Sequence, residues 1–155
     1  MRLRLLRASD LASTLTWRNQ DHVRRWFLHS EVITLAQHRR WFDGYLERDD
    51  DFVFLIEETQ ELRKAIGQVA LYRIDWVERR AEYGRLMIGE ADATGRGLGR
   101  EATSVLLEYA TGTLGLREIE LTVLADNAPA IAIYRGCGFR QEEREGNLIR
   151  MMRRA

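Results

Sequence analysis

Gly95, Gly97 and Gly99 stand at alternate positions in "GEADATGRGLGREATSVLLEYA" (residues 89–110), ahead of a run with helical apolar spacing. Glycines just before a helix let backbone N–H groups approach a ligand with no side chain in the way, and the helix N-terminus adds roughly half a positive charge. A phosphate or pyrophosphate is the guest that such a segment suits. No Gly-Lys-Ser/Thr follows, so it is not a nucleoside-triphosphate loop, and the glycine spacing does not match the dinucleotide-binding fingerprint. The plainer alternative is a tight turn whose glycines only supply positive φ. Spacing alone leaves both readings open.

Other residues able to do chemistry are scattered. Glu82 begins a strand-like stretch, "AEYG"; if Tyr83 points into a core, alternation turns Glu82 to the opposite face. There it either lines a cleft or pairs as a surface carboxylate with Arg79 or Arg80. Cys137 sits between Gly136 and Gly138 with no histidine near it in sequence, which reads as a buried structural thiol and not a nucleophile. His22, His29 and His38 are irregularly spaced, so no metal site is expected, although His38 lies in a segment that can line an acceptor pocket.

The elements that must position these residues follow from the pattern. "LRLLRAS" reads as a first strand, and Asp10 is placed to cap a helix carrying Leu11, Leu15 and Trp17. Thr34 or Ser30 caps a second helix with Trp41 and Tyr45 on one face. After Asp49–Asp51 the period changes, and "DFVFLIEE", "AIGQVALYRID" and "RAEYGRLMIGE" predict an antiparallel meander. The glycine loop, a helix over about 99–111, a strand "LREIELTVLA", a helix over about 128–135 and the strands "FRQEEREG" and "NLIRMMRR" complete the chain. This is one α/β (α+β) domain over residues 1–155: a mixed, mostly antiparallel sheet flanked by helices, with a strand–glycine loop–helix–strand unit near its centre.

Taken together, "AEYGRLMIGEADATGRGLGREATSVLLEYA" and "LTVLADNAPAIAIYRGCGF" resemble the GNAT superfamily of acyl-CoA-dependent N-acyltransferases, and the element order agrees over nearly the whole chain. The resemblance implies acetyl-CoA as co-substrate. Gly95, Arg96, Gly97, Leu98 and Gly99, with Arg100 behind them, would wrap its pyrophosphate, and Arg85–Ile88 would pair with the pantetheine arm like an added strand. Asn127 would contact the cofactor near its thiol end. Tyr134, about two helical turns further on the same face, would protonate the departing thiolate. Glu82 would be the base, direct or through water, and a backbone N–H near Met87 or Ile88 would meet the developing oxyanion. Thr94 departs from the arginine or glutamine that the family often has there, which implies weaker or differently arranged pyrophosphate contacts.

For the acceptor, "WRNQDHVRRWF" and "TLAQHRRWF" resemble the subgroup of nucleotide-linked amino-sugar and ribosomal-protein N-terminal acetyltransferases, the amino-sugar enzymes more closely. That implies Trp17, Arg18, Asn19, His38 and Trp41 as substrate-binding residues, arginines meeting a diphosphate and a tryptophan stacking on base or sugar. The bland alternative is that the tryptophans are core and the arginines a solvated face. A protein N-terminus, a polyamine or an antibiotic amine are the other acceptors considered. A coenzyme A sensor without turnover is the reading from a different class.

Composition narrows the setting. Lys plus Arg and Asp plus Glu each total 24, so a formal charge of zero argues against nucleic acid as partner. A single cysteine and an N-terminus of alternating charged and apolar residues, with no long apolar run, predict a cytoplasmic protein off the membrane. Edge strands and the final "RMMRR" are expected to suit a homodimer.

Overall fold

Four strands, β1 (Arg2–Leu5), β2 (Phe52–Glu58), β3 (Lys64–Asp75) and β4 (Arg80–Ile88), make the antiparallel half of the sheet. The computed structural model describes residues 1–155. β5 (Glu118–Leu124) joins β4 in parallel, and β7 (Leu148–Arg154) and β6 (Arg140–Glu145) follow antiparallel, in the order β1-β2-β3-β4-β5-β7-β6. α4 (Leu98–Gly112) carries the chain across from β4 to β5, the crossover that parallel neighbours require.

Helices cover both faces, so the central strands bury both sides. On one face α4 and α5 (Ala128–Gly136) pack on Val69, Leu71, Ala81, Tyr83 and Ile119. On the other, α1 (Leu11–Asn19), α2 (Asp21–Arg24) and α3 (Leu35–Leu46) pack on Val53, Leu55, Ala70 and Met87. Thr34 caps α3: its hydroxyl accepts from the Gln37 N–H at 3.1 Å, while the Gln37 carbonyl oxygen accepts from the Thr34 N–H at 2.8 Å. Asp10 does not cap α1 with its side chain as expected. Its carboxylate instead takes both Arg4 nitrogens at 2.8 Å and the Arg7 N–H at 2.8 Å, fastening β1 to the turn that follows it.

Two irregularities shape the middle of the sheet. β4 pairs with β5 only at Arg80–Glu82, opposite Glu118–Glu120, and from Tyr83 onward the strands part. The parting coincides with a bulge, since Gln68 and Ala70 of β3 face Met87 and Gly84 of β4. A bulge bends its strand and raises the local twist. Here it also reverses parity: Ala81 and Tyr83 face α4, whereas beyond the bulge Leu86 and Ile88 do so and Met87 turns to α1 and α3. Arg85 sits at the bulge with φ of 53°, a conformation costing about 1–2 kcal/mol for a residue with a side chain. Its guanidinium holds the Asp51 carboxylate bidentately at 2.7 and 3.1 Å, and its carbonyl accepts from Gln68 Nε2 at 3.4 Å, which offsets that cost.

The end segment "RMMRR" lies within β7, between β5 and β6, with Met151 and Met152 buried. It is therefore no sheet edge for a second copy; the edges are β1 and β6. No helix is long and apolar enough to cross a membrane.

One close contact makes a stability prediction. A Cβ on Gly89 would stand 2.0 Å from Cγ of Trp17. Gly89→Ala must push an indole that is 3% exposed out of its seat, an overpacking cost of about 3 kcal/mol. At roughly 2–4 °C per kcal/mol for a chain of this size, a thermal melt followed by circular dichroism is expected to show a Tm about 6–12 °C lower. An unchanged Tm would show that the indole moves freely.

Candidate active site

The glycine loop adopts the conformation its composition permits. Gly95 and Gly97 have φ of 75° and 74°, and a Cβ at either would meet open space, so conformation and not crowding demands glycine. Gly97 is the residue before α4, and the first amide bonded inside the helix is that of Glu101, to the Gly97 oxygen at 3.1 Å. The amides of residues 95–100 donate no hydrogen bond within the chain. A row of free N–H groups at the head of a fifteen-residue helix is a cradle for a polyanion. The glycines make a turn, and the turn presents amides.

Side chains around the loop are spaced about it. Arg96 reaches sideways to Glu61 at 2.8 Å. Arg100 lies against α5, its guanidinium 3.3 Å from where a Cβ on Gly136 would be, and makes no ion pair. Thr94 turns its hydroxyl back to the Glu90 carbonyl at 3.3 Å, away from the amides. Gly99 is buried beneath Leu86, Ile88 and Ile133, so it seats the helix on the sheet.

Next to the loop, β4 offers an unpaired edge. The Gly89 N–H donates to the Ile66 oxygen at 2.7 Å, and antiparallel bonds alternate, so Met87 is committed to Gln68 of β3. Ile88 then points its N–H and C=O away from β3, into the gap left by β5. Of the two residues expected to meet an oxyanion, the register favours Ile88 over Met87.

Glu82 and Tyr134 come from opposite sides to the point where β4 and β5 part. Tyr83 is 1% exposed with its hydroxyl on Thr103 at 2.7 Å, so alternation puts Glu82 on the α1/α3 side. Its partner is neither Arg79 nor Arg80: Arg73 Nη1 donates to Oε1 at 2.7 Å. Tyr134 lies on the other side, packed edge-on to Tyr83 and Phe139 with ring centroids 5.7 and 6.0 Å apart. Its side chain is buried, yet its hydroxyl bonds nothing in the chain and is not sealed from solvent; the single sealed and unpartnered side-chain atom is Arg153 Nη1. Burial, with smaller contributions from Tyr72 and Cys137, raises its pKa, so it stays a protonated phenol at neutral pH. Asn127 caps α5, accepting from the Ala130 N–H at 3.3 Å, which leaves its amide nitrogen free at the mouth of the same gap. Cys137 is half-buried with Sγ 3.7 Å from the Ser104 hydroxyl.

The five residues expected to bind an acceptor mostly do structural work. Trp17 is core, stacked on Gly89 with Nε1 donating to Glu90 at 3.3 Å. Arg18 lies over Phe27 and donates to the carbonyls of His29 and Glu31, pinning the loop after α2. Asn19 clamps Ile33 through both its N–H and C=O at 3.0 and 2.9 Å. His38 is buried on the Thr14 hydroxyl at 2.8 Å, and burial first, then Arg18, lowers its pKa and keeps it neutral. Trp41 is half-buried, stacked on His38 and Tyr45, with Arg85 5.9 Å from its ring.

Sequence reasoning missed Asp51 and Tyr72, and took Arg85 only as part of the strand along the pantetheine arm, with no role for its side chain. Asp51 is 6% exposed and Arg85 stands 4.2 Å from the Tyr72 ring centre, so the three form one block beside Glu82. The signal available was the β-branched and aromatic pattern of β3, which marks the strand that carries Tyr72 but gives neither its pairing with Glu82 nor the bulge that brings Arg85 to it.

β4 and β5 part beyond Glu82, a loop of free amides heads the helix that follows, and Glu82 and Tyr134 stand on opposite faces of the sheet. The chain belongs to the GNAT acetyltransferase family: the model of the acetyltransferase (GNAT) domain matches residues 1–140. Among curated relatives, a spermidine N(1)-acetyltransferase of Escherichia coli is 30% identical over 142 residues, covering 92% of this chain and 74% of that one. An N-acetyltransferase 9-like protein of Caenorhabditis briggsae is 26% identical over 125 residues, 76% of this chain; the match spans 63% of that longer protein. The spermidine N-acetyltransferase of Vibrio cholerae, solved with CoA and spermine, superposes with a TM-score of 0.87 at 23% identity, covering 97% of this chain and 93% of that one. The protein is an enzyme of this family, with acetyl-CoA as acyl donor.

Proposed function

We propose that this protein transfers the acetyl group of acetyl-CoA to a primary amine of a polyamine, by direct attack in a ternary complex. The observation that carries the acceptor class is the 30% identity to a spermidine N(1)-acetyltransferase over nearly the whole chain. It moves the acceptor away from the nucleotide-linked amino sugar expected from residues 17–42, and toward one of the alternatives. The site agrees for a physical reason. Trp17 is core, Arg18 is tied to loop carbonyls and Arg24 to Asp21, so the wall that was to grip a diphosphate is engaged elsewhere. What stands beside Tyr72 on this face is a carboxylate, Glu82, a group that suits an alkylammonium partner.

Acetyl-CoA supplies the thioester carbonyl and the thiolate leaving group. The amides of residues 95–100 hold its diphosphate, and Ile88 offers an amide to the carbonyl oxygen as charge develops there. Glu82 takes the proton of the amine. Tyr134 donates its phenolic proton to the sulfur as the carbon–sulfur bond breaks.

A thiol-release assay with acetyl-CoA against spermidine, spermine, an N-terminal peptide, a nucleotide-linked amino sugar and an aminoglycoside tests the reading. Spermidine or spermine is expected to give kcat/KM at least tenfold above the rest. A preference for the peptide or the amino sugar would overturn the acceptor, and background release with all five, despite cofactor binding, would make the protein a sensor.

A further inference from the structure

We propose that Tyr72 is a further catalytic residue, whose hydroxyl relays the proton of the incoming amine to Glu82. The proposal rests on the reading of Glu82 as base. Distance motivates it. Glu82 lies on the closed part of the sheet, paired with Glu120, whereas the free edge that receives the thioester begins beyond the bulge. At ~3.3 Å per residue the Cα atoms of Glu82 and Leu86 are roughly 13 Å apart in an extended strand, more than one glutamate side chain spans.

Tyr72 stands in that interval. It is the direct cross-strand partner of Glu82, so both side chains leave the same face. Its ring lies across Gly84, where a Cβ would be 2.8 Å from the hydroxyl and 3.2 Å from Cε1. Glycine at this position thus leaves room for the phenol to reach the bulge. Arg85, clamped by Asp51, holds the ring from 4.2 Å. The hydroxyl interacts with the Glu82 carboxylate, whose other partner is the exposed Arg73 at 2.7 Å. Burial and then the Glu82 charge raise the Tyr72 pKa, so the relay starts from a neutral phenol.

In the step, the N–H bond of the amine breaks as the Tyr72 oxygen takes that proton, and the Tyr72 O–H bond breaks as Glu82 takes its own. The phenol is restored, and Glu82 releases one proton to solvent on the side of the exposed Arg73.

The test compares Tyr72→Phe, Gly84→Ala and Glu82→Gln from pH 6 to 10, with spermidine. Tyr72→Phe removes the hydroxyl alone, and Gly84→Ala keeps it but drives a methyl group against it. Both are expected to lower kcat about 10²-fold near pH 7, with KM for acetyl-CoA unchanged, and to recover as the pH approaches the amine pKa near ~10. A loss independent of pH would mark Tyr72 as structural and overturn the relay. Full turnover in Tyr72→Phe with Glu82→Gln impaired would reject the relay and keep the base. Full turnover in both would reject the base as well.

Discussion

Tyr134→Phe is expected to lower kcat by about 10²–10⁴-fold, the usual contribution of a positioned acid or base. The substitution removes one oxygen. The ring that packs on Tyr83 and Phe139 remains, and the hydroxyl bonds nothing in the chain, so neither fold nor neighbours lose a partner. Affinity for acetyl-CoA should stay within about twofold, because the amides of residues 95–100 and the β4 edge do the holding, which splits kcat from binding. Burial, which keeps the phenol protonated, also makes it a reluctant acid. Its proton must therefore move in step with carbon–sulfur cleavage. Single-turnover kinetics, with calorimetric titration of the cofactor, checks both halves. Wild-type single-turnover rates would remove Tyr134 from the acid role.

Glu82→Gln is expected to have the second large effect, about 10²–10³-fold in kcat at pH 7. Glutamine can still accept the Arg73 hydrogen bond through its carbonyl oxygen, so the cleft keeps its shape while proton acceptance is lost. The Arg73 side chain is 71% exposed, and an exposed pair of this kind stabilises by at most about 1 kcal/mol. Tm should therefore hardly change. The amine, with a pKa near ~10, is almost wholly protonated at pH 7 and increasingly free above pH 9. The sign follows: the loss is greatest at neutral and acid pH and shrinks as pH rises. Initial rates across that range decide the matter, and a wild-type profile would exclude Glu82 as base.

The two predictions draw on information of different kinds. The glycine loop was legible because its geometry is local. Positive φ at Gly95 and Gly97 and the free amides after them depend on a few adjacent residues. The face taken by Glu82 was legible for the same reason, since alternation over two residues is set by the pleat. Tyr134 and Asn127 were named through the resemblance to the GNAT superfamily; in the structure Asn127 caps α5 just beyond the end of β5 and Tyr134 lies further along that helix, packed on Tyr83.

The acceptor side was not legible in this way. Trp17, Arg18 and Asn19 have aromatic, cationic and amide groups fit for a ligand, but their partners are Gly89, the loop around residues 29–31 and Ile33. Residue type states what a side chain can bond. It does not state which segment will arrive beside it.

What the chain order of residues settled, then, was the fold class and the crossover with its amide-lined turn; it offered Glu82 and Tyr134 as candidates for the proton steps and passed over Tyr72. Tertiary structure alone decided where β4 leaves β5, that Arg73 and not Arg79 or Arg80 holds Glu82, and that Asp51, Arg85 and Tyr72 meet. The reason is physical: periodicity records geometry within one element, whereas a bulge adds a residue without leaving a period, and the register it shifts is set by strands that pair across long separations.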